Sequence, residues 1–406
     1  MKYSLTRATL WNLSGYLYLI IASFFSIPII ISSLGITTFS QYVIILAILT
    51  LASSIDLGLS SAVIRKLARD DHDHHHTIWS TSLTLFLSIG LVVALITTFI
   101  IYQFGITISI LPIIFIYALT NHLLSHFLTL PQALGRFDLY NLRTFLVGTA
   151  NTLIAASLAH LGYGINSIII AQIIAMIITI IILIRYSYNH FHHFIIKPSI
   201  KYSRELLSFG IKNQIGKIMG QLGAQYAKFL LAPISALAVS SYSISQGVVL
   251  KLAGSLTQLS TALYPVSSAS THSIRLRRLY HRAQLIILVS SLLGITIYSF
   301  FGLPFLTWWL TDLELVTAVH SVLNFLIPYL AILTLTPLAS TILDSHNKPG
   351  TTSFFATITI LLEIILAVYL LPTYGLLSPA ISALISVSLT TPFLLIVTER
   401  TLHSVK

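Results

Sequence analysis

Residues 165–185 read INSIIIAQIIAMIITIIILIR. No charge interrupts the stretch before Arg185. A helix of this length rises about 30 Å, the thickness of a bilayer's hydrocarbon core. The turn His160-Leu161-Gly162 and the pair Tyr163-Gly164 precede it, and a cation closes it. This is a membrane span with one end marked. The rest of the chain repeats the pattern. A span needs roughly 17–25 mostly apolar residues, and twelve fit: 10–32, 39–63, 78–102, 109–133, 141–161, 165–185, 206–231, 236–262, 283–303, 318–343, 351–371 and 376–397. The expected fold is an all-α integral membrane protein with twelve transmembrane helices.

Composition agrees. Of 406 residues, 56% are hydrophobic and only 8% charged, with a mean hydropathy of +0.90. A soluble domain carries about 25% charged residues, so the bilayer must act as solvent here. The absence of cysteine excludes disulfides and thiolate metal sites. Lys2 and Arg7 precede the first span and no small-residue cleavage site follows it. The segment is expected to stay as a helix rather than leave as a signal peptide.

Lysine and arginine orient the map, because short cytoplasmic loops hold the cations. With the N-terminus placed inside, every one of the 22 Lys and Arg falls in a cytoplasmic segment except Lys212, Lys217, Lys228 and Lys251, which lie in spans seven and eight. Slipping the count by one helix would scramble this separation. Both chain ends are therefore expected in the cytoplasm. The net charge of +11 belongs to the lipid surface and gives no reason to expect nucleic acid. External loops are short, the longest expected from about Pro304 to Thr317 with Trp308 and Trp309 as interfacial anchors. The connection 186–205 reads as a linker.

The two halves echo each other. Tyr163-Gly164 opens span six and Tyr374-Gly375 opens span twelve; Phe39-Ser40-Gln41-Tyr42 begins span two and Val239-Ser240-Ser241-Tyr242 begins span eight. Six is an even number, so both halves enter from the same side, as parallel repeats do. The expected layout is two six-helix bundles, residues 1–200 with the linker and residues 201–406. A pseudo-two-fold axis along the membrane normal would relate them, with a central cavity between.

These residues also carry a resemblance. Leu34-Gly35 with Phe39-Ser40-Gln41-Tyr42, then Asp56-Leu57-Gly58-Leu59 running into Arg65-Lys66-Leu67-Ala68, resembles the first two helices of bacterial polysaccharide exporters. Gln132-Ala133-Leu134-Gly135-Arg136-Phe137-Asp138-Leu139-Tyr140-Asn141 is similar to their loop between helices four and five, and Tyr374-Gly375-Leu376 to the entry of their last helix. The family is the Wzx-type O-antigen and capsule flippases of the multidrug/oligosaccharidyl-lipid/polysaccharide (MOP) transporter superfamily. The resemblance covers essentially the whole chain. It implies a protein of the bacterial inner membrane that is no enzyme. Its substrate would be an undecaprenyl-pyrophosphate-linked glycan, moved from the cytoplasmic to the outer leaflet by alternating access. Membrane lipids would surround it, and a polysaccharide polymerase and chain-length regulator would be its partners. No cofactor is implied beyond a coupling ion, H⁺ or Na⁺.

The four lysines that topology leaves over are the candidate site. A lysine at mid-bilayer costs at least about 2.5–3.5 kcal/mol. On a wheel of about 100° per residue with Lys212 at zero, Asn213, Lys217, Lys228, Gln221, Gln214 and Gln225 fall between about 100° and 220°. Gly216, Gly220 and Gly223 form a small-residue edge beside them. Lys212 lies off the stripe and is expected to snorkel. In span eight, Lys251 shares a face with Ser255 and Gln258. Lys217, Lys251 and Lys228 either line a hydrated cavity and attract a pyrophosphate, or pair with internal carboxylates or snorkel. One lysine–phosphate contact at about 4 Å is worth up to roughly 4 kcal/mol at an effective dielectric near 20.

Two carboxylates lie inside spans. Asp56 could partner a lysine, carry a coupling proton or Na⁺, or accept hydrogen bonds between helices. Glu363 shares a face with Thr352, Ala356, Thr359 and Ala367 that suits packing, with coupling as its other role. His122 and His126, four residues apart, are expected in a polar cavity wall, since no third metal ligand is evident and no metal is expected. Asp70-Asp71-His72-Asp73-His74-His75-His76 reads as a solvated cytoplasmic turn. A cation-coupled multidrug exporter is the alternative function, disfavoured because lysines outnumber carboxylates in the spans. A polysaccharide polymerase would need a larger external loop bearing cations.

Overall fold

The computed structural model describes residues 5–69, 72–106, 108–191, 197–269, 273–346 and 348–404, and all regular structure among them is helical. In the first half run α1 (Leu5–Ser54), α2 (Leu59–Arg69), α3 (His72–Gln103), α4 (Leu111–Ala133), α5 (Phe137–Thr149), α6 (Ala155–His160) and α7 (Ile165–Phe191). Then follow α8 (Ile200–Leu231), α9 (Ala236–Ala269), α10 (Ser273–Trp309), α11 (Leu313–Leu333), α12 (Thr336–Ser345), α13 (Pro349–Tyr374) and α14 (Ser378–Ser404). The chain divides into two compact units, Met1–Gln221 and Leu222–Lys406, and the division falls inside α8.

Among the described residues, nine helical stretches are long and apolar enough to cross a membrane. Two of them exceed a single crossing: Leu13–Ser54 has 42 residues and Pro349–His403 has 55, where about 20 suffice. Each is broken at a glycine with positive φ, Gly35 (φ 75°) and Gly375 (φ 47°). The helix α8 is not among the nine, because its lysines and glutamines lower its hydropathy. The outward faces are apolar, with Ile174, Ile178 and Ile181 exposed on α7 and Phe300, Phe301 and Trp308 exposed on α10. Such surfaces belong in lipid. The chain is a multi-pass membrane protein.

Within the first unit α3, α4 and α7 pack together, and α1 lies against α5 and α6. Trp79, Phe86, Leu124 and Ile168 are fully buried there. In the second unit α11 packs on α9 and α14, and α13 on α14, around Tyr242, Val319 and Val387.

Three expectations change. The predicted span 39–63 is not one helix: α1 stops at Ser54 and α2 starts at Leu59. Asp56 draws the backbone into a turn by accepting from the Gly58 N–H at 3.1 Å, with Leu57 (φ 50°) and Gly58 (φ 68°) both left-handed. The long external loop shrinks, because α10 continues through Pro304 to Trp309. Asp312 then caps α11, its Oδ1 accepting from the Leu315 N–H at 2.9 Å. The histidine run is no turn. Asp70 and Asp71 lie outside the described residues, while His72 opens α3. His75 is buried beside the His190 ring, and His76 meets Phe191 edge-on. Aromatic contacts from the end of α7 thus meet His75 and His76.

Candidate functional site

The break between α1 and α2 frees main-chain groups that need partners outside the helix ladder. Several of those partners can be named. Gln214 of α8 brackets the turn: its Nε2 donates to the Ser54 carbonyl at 2.7 Å and its Oε1 accepts from the Gly58 N–H at 2.7 Å. His122 of α4 places Nε2 at 3.2 Å from the Ile55 carbonyl. The Asp56 carbonyl accepts from the Leu59 N–H at 3.0 Å, starting α2. Ser60 donates to Asp56 Oδ2 through both its N–H and its hydroxyl.

The approach of α8 depends on two glycines. A Cβ built on Gly58 would stand 2.1 Å from the Gly210 carbonyl oxygen, and one built on Gly210 would stand 2.2 Å from the Leu57 carbonyl oxygen. Backbone meets backbone there. Lower on the same face Lys66 pairs with Glu205 at 2.8 Å, and the Arg65 guanidinium lies 4.3 Å over the Phe209 ring.

This seating delivers Lys217 to Asp56. Lys217 Nζ donates to Asp56 Oδ1 at 2.9 Å. Asp56 is 2% exposed but the Lys217 side chain is 42% exposed. An ammonium has three N–H donors, so Lys217 can hold Asp56 and still offer donors outward. The pair sums to zero charge, which makes Lys217 a donor group rather than a net attractor while Asp56 keeps it.

The second unit carries the rest. Lys228 Nζ donates to Gln225 Oε1 at 2.6 Å, one turn back on α8. Tyr226 donates its hydroxyl to Glu363 Oε1 at 3.0 Å, and Glu363 is 8% exposed. Gly223 packs against Ile360 of α13, so the small-residue edge is used there. Lys251 is partly exposed on α9. An apolar cavity of about 580 Å³, lined by Leu252, Tyr298, Phe301, Leu323 and Ile327 among others, lies between α9, α10 and α11.

The predicted residues therefore separate. Lys217, Gln214 and Asp56 meet; Gln225 and Lys228 meet; Gln221 is half-buried between the two groups on α8. The side chains of Lys212, Asn213, Ser255 and Gln258 lie outside the described residues. His122 and His126 do not line a cavity wall. They are 1% and 0% exposed, and His126 is enclosed by Trp79, Phe86 and Phe127 with Nδ1 at 3.0 Å from Ser82 Oγ. Tyr226 was missed. On the wheel that defined the stripe it falls near 320°, on the opposite side, and its only signal was an isolated aromatic hydroxyl in a span.

The family described as polysaccharide biosynthesis protein matches residues 5–271. The chain belongs to that family. Over 399 residues it is 23% identical to the Shigella flexneri protein named "Putative O-antigen transporter", covering 93% of this chain and 94% of that one. Among solved structures it resembles the inward-facing conformation of a multidrug resistance MATE family transporter of the MOP superfamily, with TM-score 0.70, 15% identity, and 98% and 99% of the two chains covered. It also resembles a MOP superfamily transporter from Pyrococcus furiosus described by the reverse polarity of its binding pocket (TM-score 0.61, 16% identity, 99% and 95% covered). A Vibrio cholerae MATE transporter in its bent form is similar as well (TM-score 0.59, 14% identity, 98% and 99% covered). At these identities the structural likeness shows the fold, which is that of MOP transporters. The resemblance to polysaccharide exporters read from residues 34–68 and 132–141 agrees with the family match, and the protein is a membrane transporter.

Proposed function

We propose that this transporter flips an undecaprenyl-pyrophosphate-linked oligosaccharide, an O-antigen or capsule repeat unit, from the cytoplasmic to the outer leaflet of the bacterial inner membrane. Twelve crossings in two six-helix bundles, with both termini cytoplasmic, would alternate access to a central cavity. A gradient of H⁺ or Na⁺ would drive the cycle, with Asp56 and Glu363 as the coupling carboxylates. The observation that carries the reading is Lys217: an ammonium on α8 that is held by a buried carboxylate yet stays 42% exposed. Pyrophosphate arriving at Lys217 would compete with Asp56 for the same donors. Lys228, Lys251, Gln214, Gln221, Gln225 and Asn213 would supply further cationic and amide contacts, each too weak alone to trap the substrate, as release requires. The apolar cavity beside Leu252 suits part of a polyprenyl chain. The multidrug alternative fits less well, because an exporter of cationic drugs needs carboxylates within reach. Asp56 and Glu363 are 2% and 8% exposed.

The test is complementation of a flippase-null strain. The double variant Lys217→Ala, Lys251→Ala, compared at matched amounts of membrane-inserted protein, should leave surface polysaccharide reduced at least about tenfold, the loss expected for removing some 1.4 kcal/mol of substrate binding. Undiminished surface polysaccharide would reject these residues as the anion site.

A further inference from the structure

His122 has a feature that packing alone does not require. Both of its ring nitrogens face main-chain carbonyls: Nδ1 lies 2.9 Å from the Ala118 oxygen and Nε2 lies 3.2 Å from the Ile55 oxygen. A carbonyl only accepts, and a neutral imidazole carries one N–H. Making both bonds therefore takes the imidazolium. The Ala118 bond is local, one turn back on α4, and the same arrangement recurs at His346 and His403. The Ile55 bond is of another kind. It reaches 67 residues along the chain to the carbonyl left open where α1 stops. The ring is 1% exposed, and α3 comes so close that a Cβ on Gly90 would stand 2.9 Å from His122 Cβ.

We propose that His122 is a proton-binding site whose occupancy holds or loosens the α1–α2 turn. With the proton bound, the Ile55 carbonyl has its donor and the turn is tied to α4 as well as to α8. Without it, the ring keeps one N–H, the local bond retains it, and the Ile55 carbonyl is unsatisfied. The groups that face the ring from neighbouring elements set the balance. Asp56 follows Ile55 in the chain, and its carboxylate is held by Lys217 of α8 and Ser60. On α4 itself His126 lies one turn on, directed to Ser82 of α3. At the point of closest approach α3 offers Gly90, which brings no charge. The site names H⁺ as a coupling ion and adds His122 to the transport reading. Its detection does not depend on the substrate being a lipid-linked glycan.

The experiment uses the full-length protein in lipid nanodiscs with ¹⁵N-labelled histidine, scanned from about pH 5 to 9. A ring with both nitrogens protonated at low pH should convert to the singly protonated form as pH rises, and its signals should be absent in His122→Gln. Deuterium uptake at the amides of residues 55–58, corrected for the intrinsic pH dependence of exchange, should rise about fivefold over the same interval, as loss of one hydrogen bond predicts. The uptake arm runs on the wild-type protein, so it stands even if His122→Gln does not fold. A His122 ring that is singly protonated throughout, or uptake at the turn that ignores pH, would overturn the proposal. Neither readout involves transport, so a failed flipping assay would not be mistaken for failure of the proton site.

Discussion

Gly58 sits where a side chain has no room. Its φ of 68° lies in the left-handed region, and an added Cβ would come within 2.1 Å of backbone oxygen in α8. Backbone cannot swing aside as a flexible side chain can, so Gly58→Ala forces α8 off the turn and breaks the bonds that Gln214 and Lys217 make there. The expected cost is at least about 2 kcal/mol, the sum of αL strain and lost contacts. Gly216→Ala is the control: that position meets open space and is helical, where alanine is favoured by about 0.5–1 kcal/mol. Thermal unfolding in detergent should show Tm falling for the first variant and holding or rising for the second. Equal Tm values would refute the backbone contact. At this scale the sequence was legible in part. Asp56-Leu57-Gly58-Leu59 stood out as a motif, and a lysine partner was among the roles open to Asp56. Which lysine, and that Gln214 would clasp the turn, depends on three-dimensional neighbours 156 to 161 residues away, which no local pattern encodes.

The elements tell a different story. Hydropathy located the apolar helices, because their length and composition answer to the bilayer alone. It was blind to the break at 55–58, since apolar residues continue on both sides of it, through Leu51-Ala52 and Leu59. It also ended α10 too early at Pro304, although a proline within a membrane helix is tolerated where the freed backbone group finds another partner. The helix α8 was counted as the span 206–231, although its low hydropathy leaves it outside the nine most apolar stretches among the described residues, and its angular pattern is what set it apart. Its first half is fastened by few contacts, and Gln214 makes two of them. Gln214→Leu keeps the volume and removes both bonds, leaving the Ser54 carbonyl without its donor. The expected loss is about 1–3 kcal/mol, confined to local opening rather than spread over the unit. Hydrogen exchange should therefore quicken roughly 5- to 150-fold at residues 54–60 and 205–217 while the amides around Leu124 and Ile168 stay protected. Uniform quickening across the first unit would show that Gln214 supports the whole fold and not the clasp.

For the whole molecule the decisive quantity is the sidedness of charge. On the twelve-span layout, lysine and arginine outside the spans fall on one face, and an error of one helix would send every loop beyond it to the wrong side. The layout makes a prediction that the natural absence of cysteine allows to be tested without first removing any. Leu161→Cys, on the exposed corner between α6 and α7, should face the periplasm. Thr373→Cys, exposed near the end of α13, should do the same. Arg278→Cys, exposed near the start of α10, should face the cytoplasm. A membrane-impermeant maleimide added to intact spheroplasts should label the first two and spare the third until the membrane is opened. Labelling of Leu161→Cys but not Thr373→Cys would mean an odd number of crossings between them, so the halves would be inverted rather than parallel repeats. Labelling of Arg278→Cys from outside would place the densest cationic cluster on the periplasmic face and undo the orientation. The sidedness matters to the proposed chemistry, because a lysine stripe that captures pyrophosphate is useful for export only if the cationic rim of Arg65, Lys66, Lys201 and Arg204 beside it faces the leaflet where the lipid-linked sugar is made.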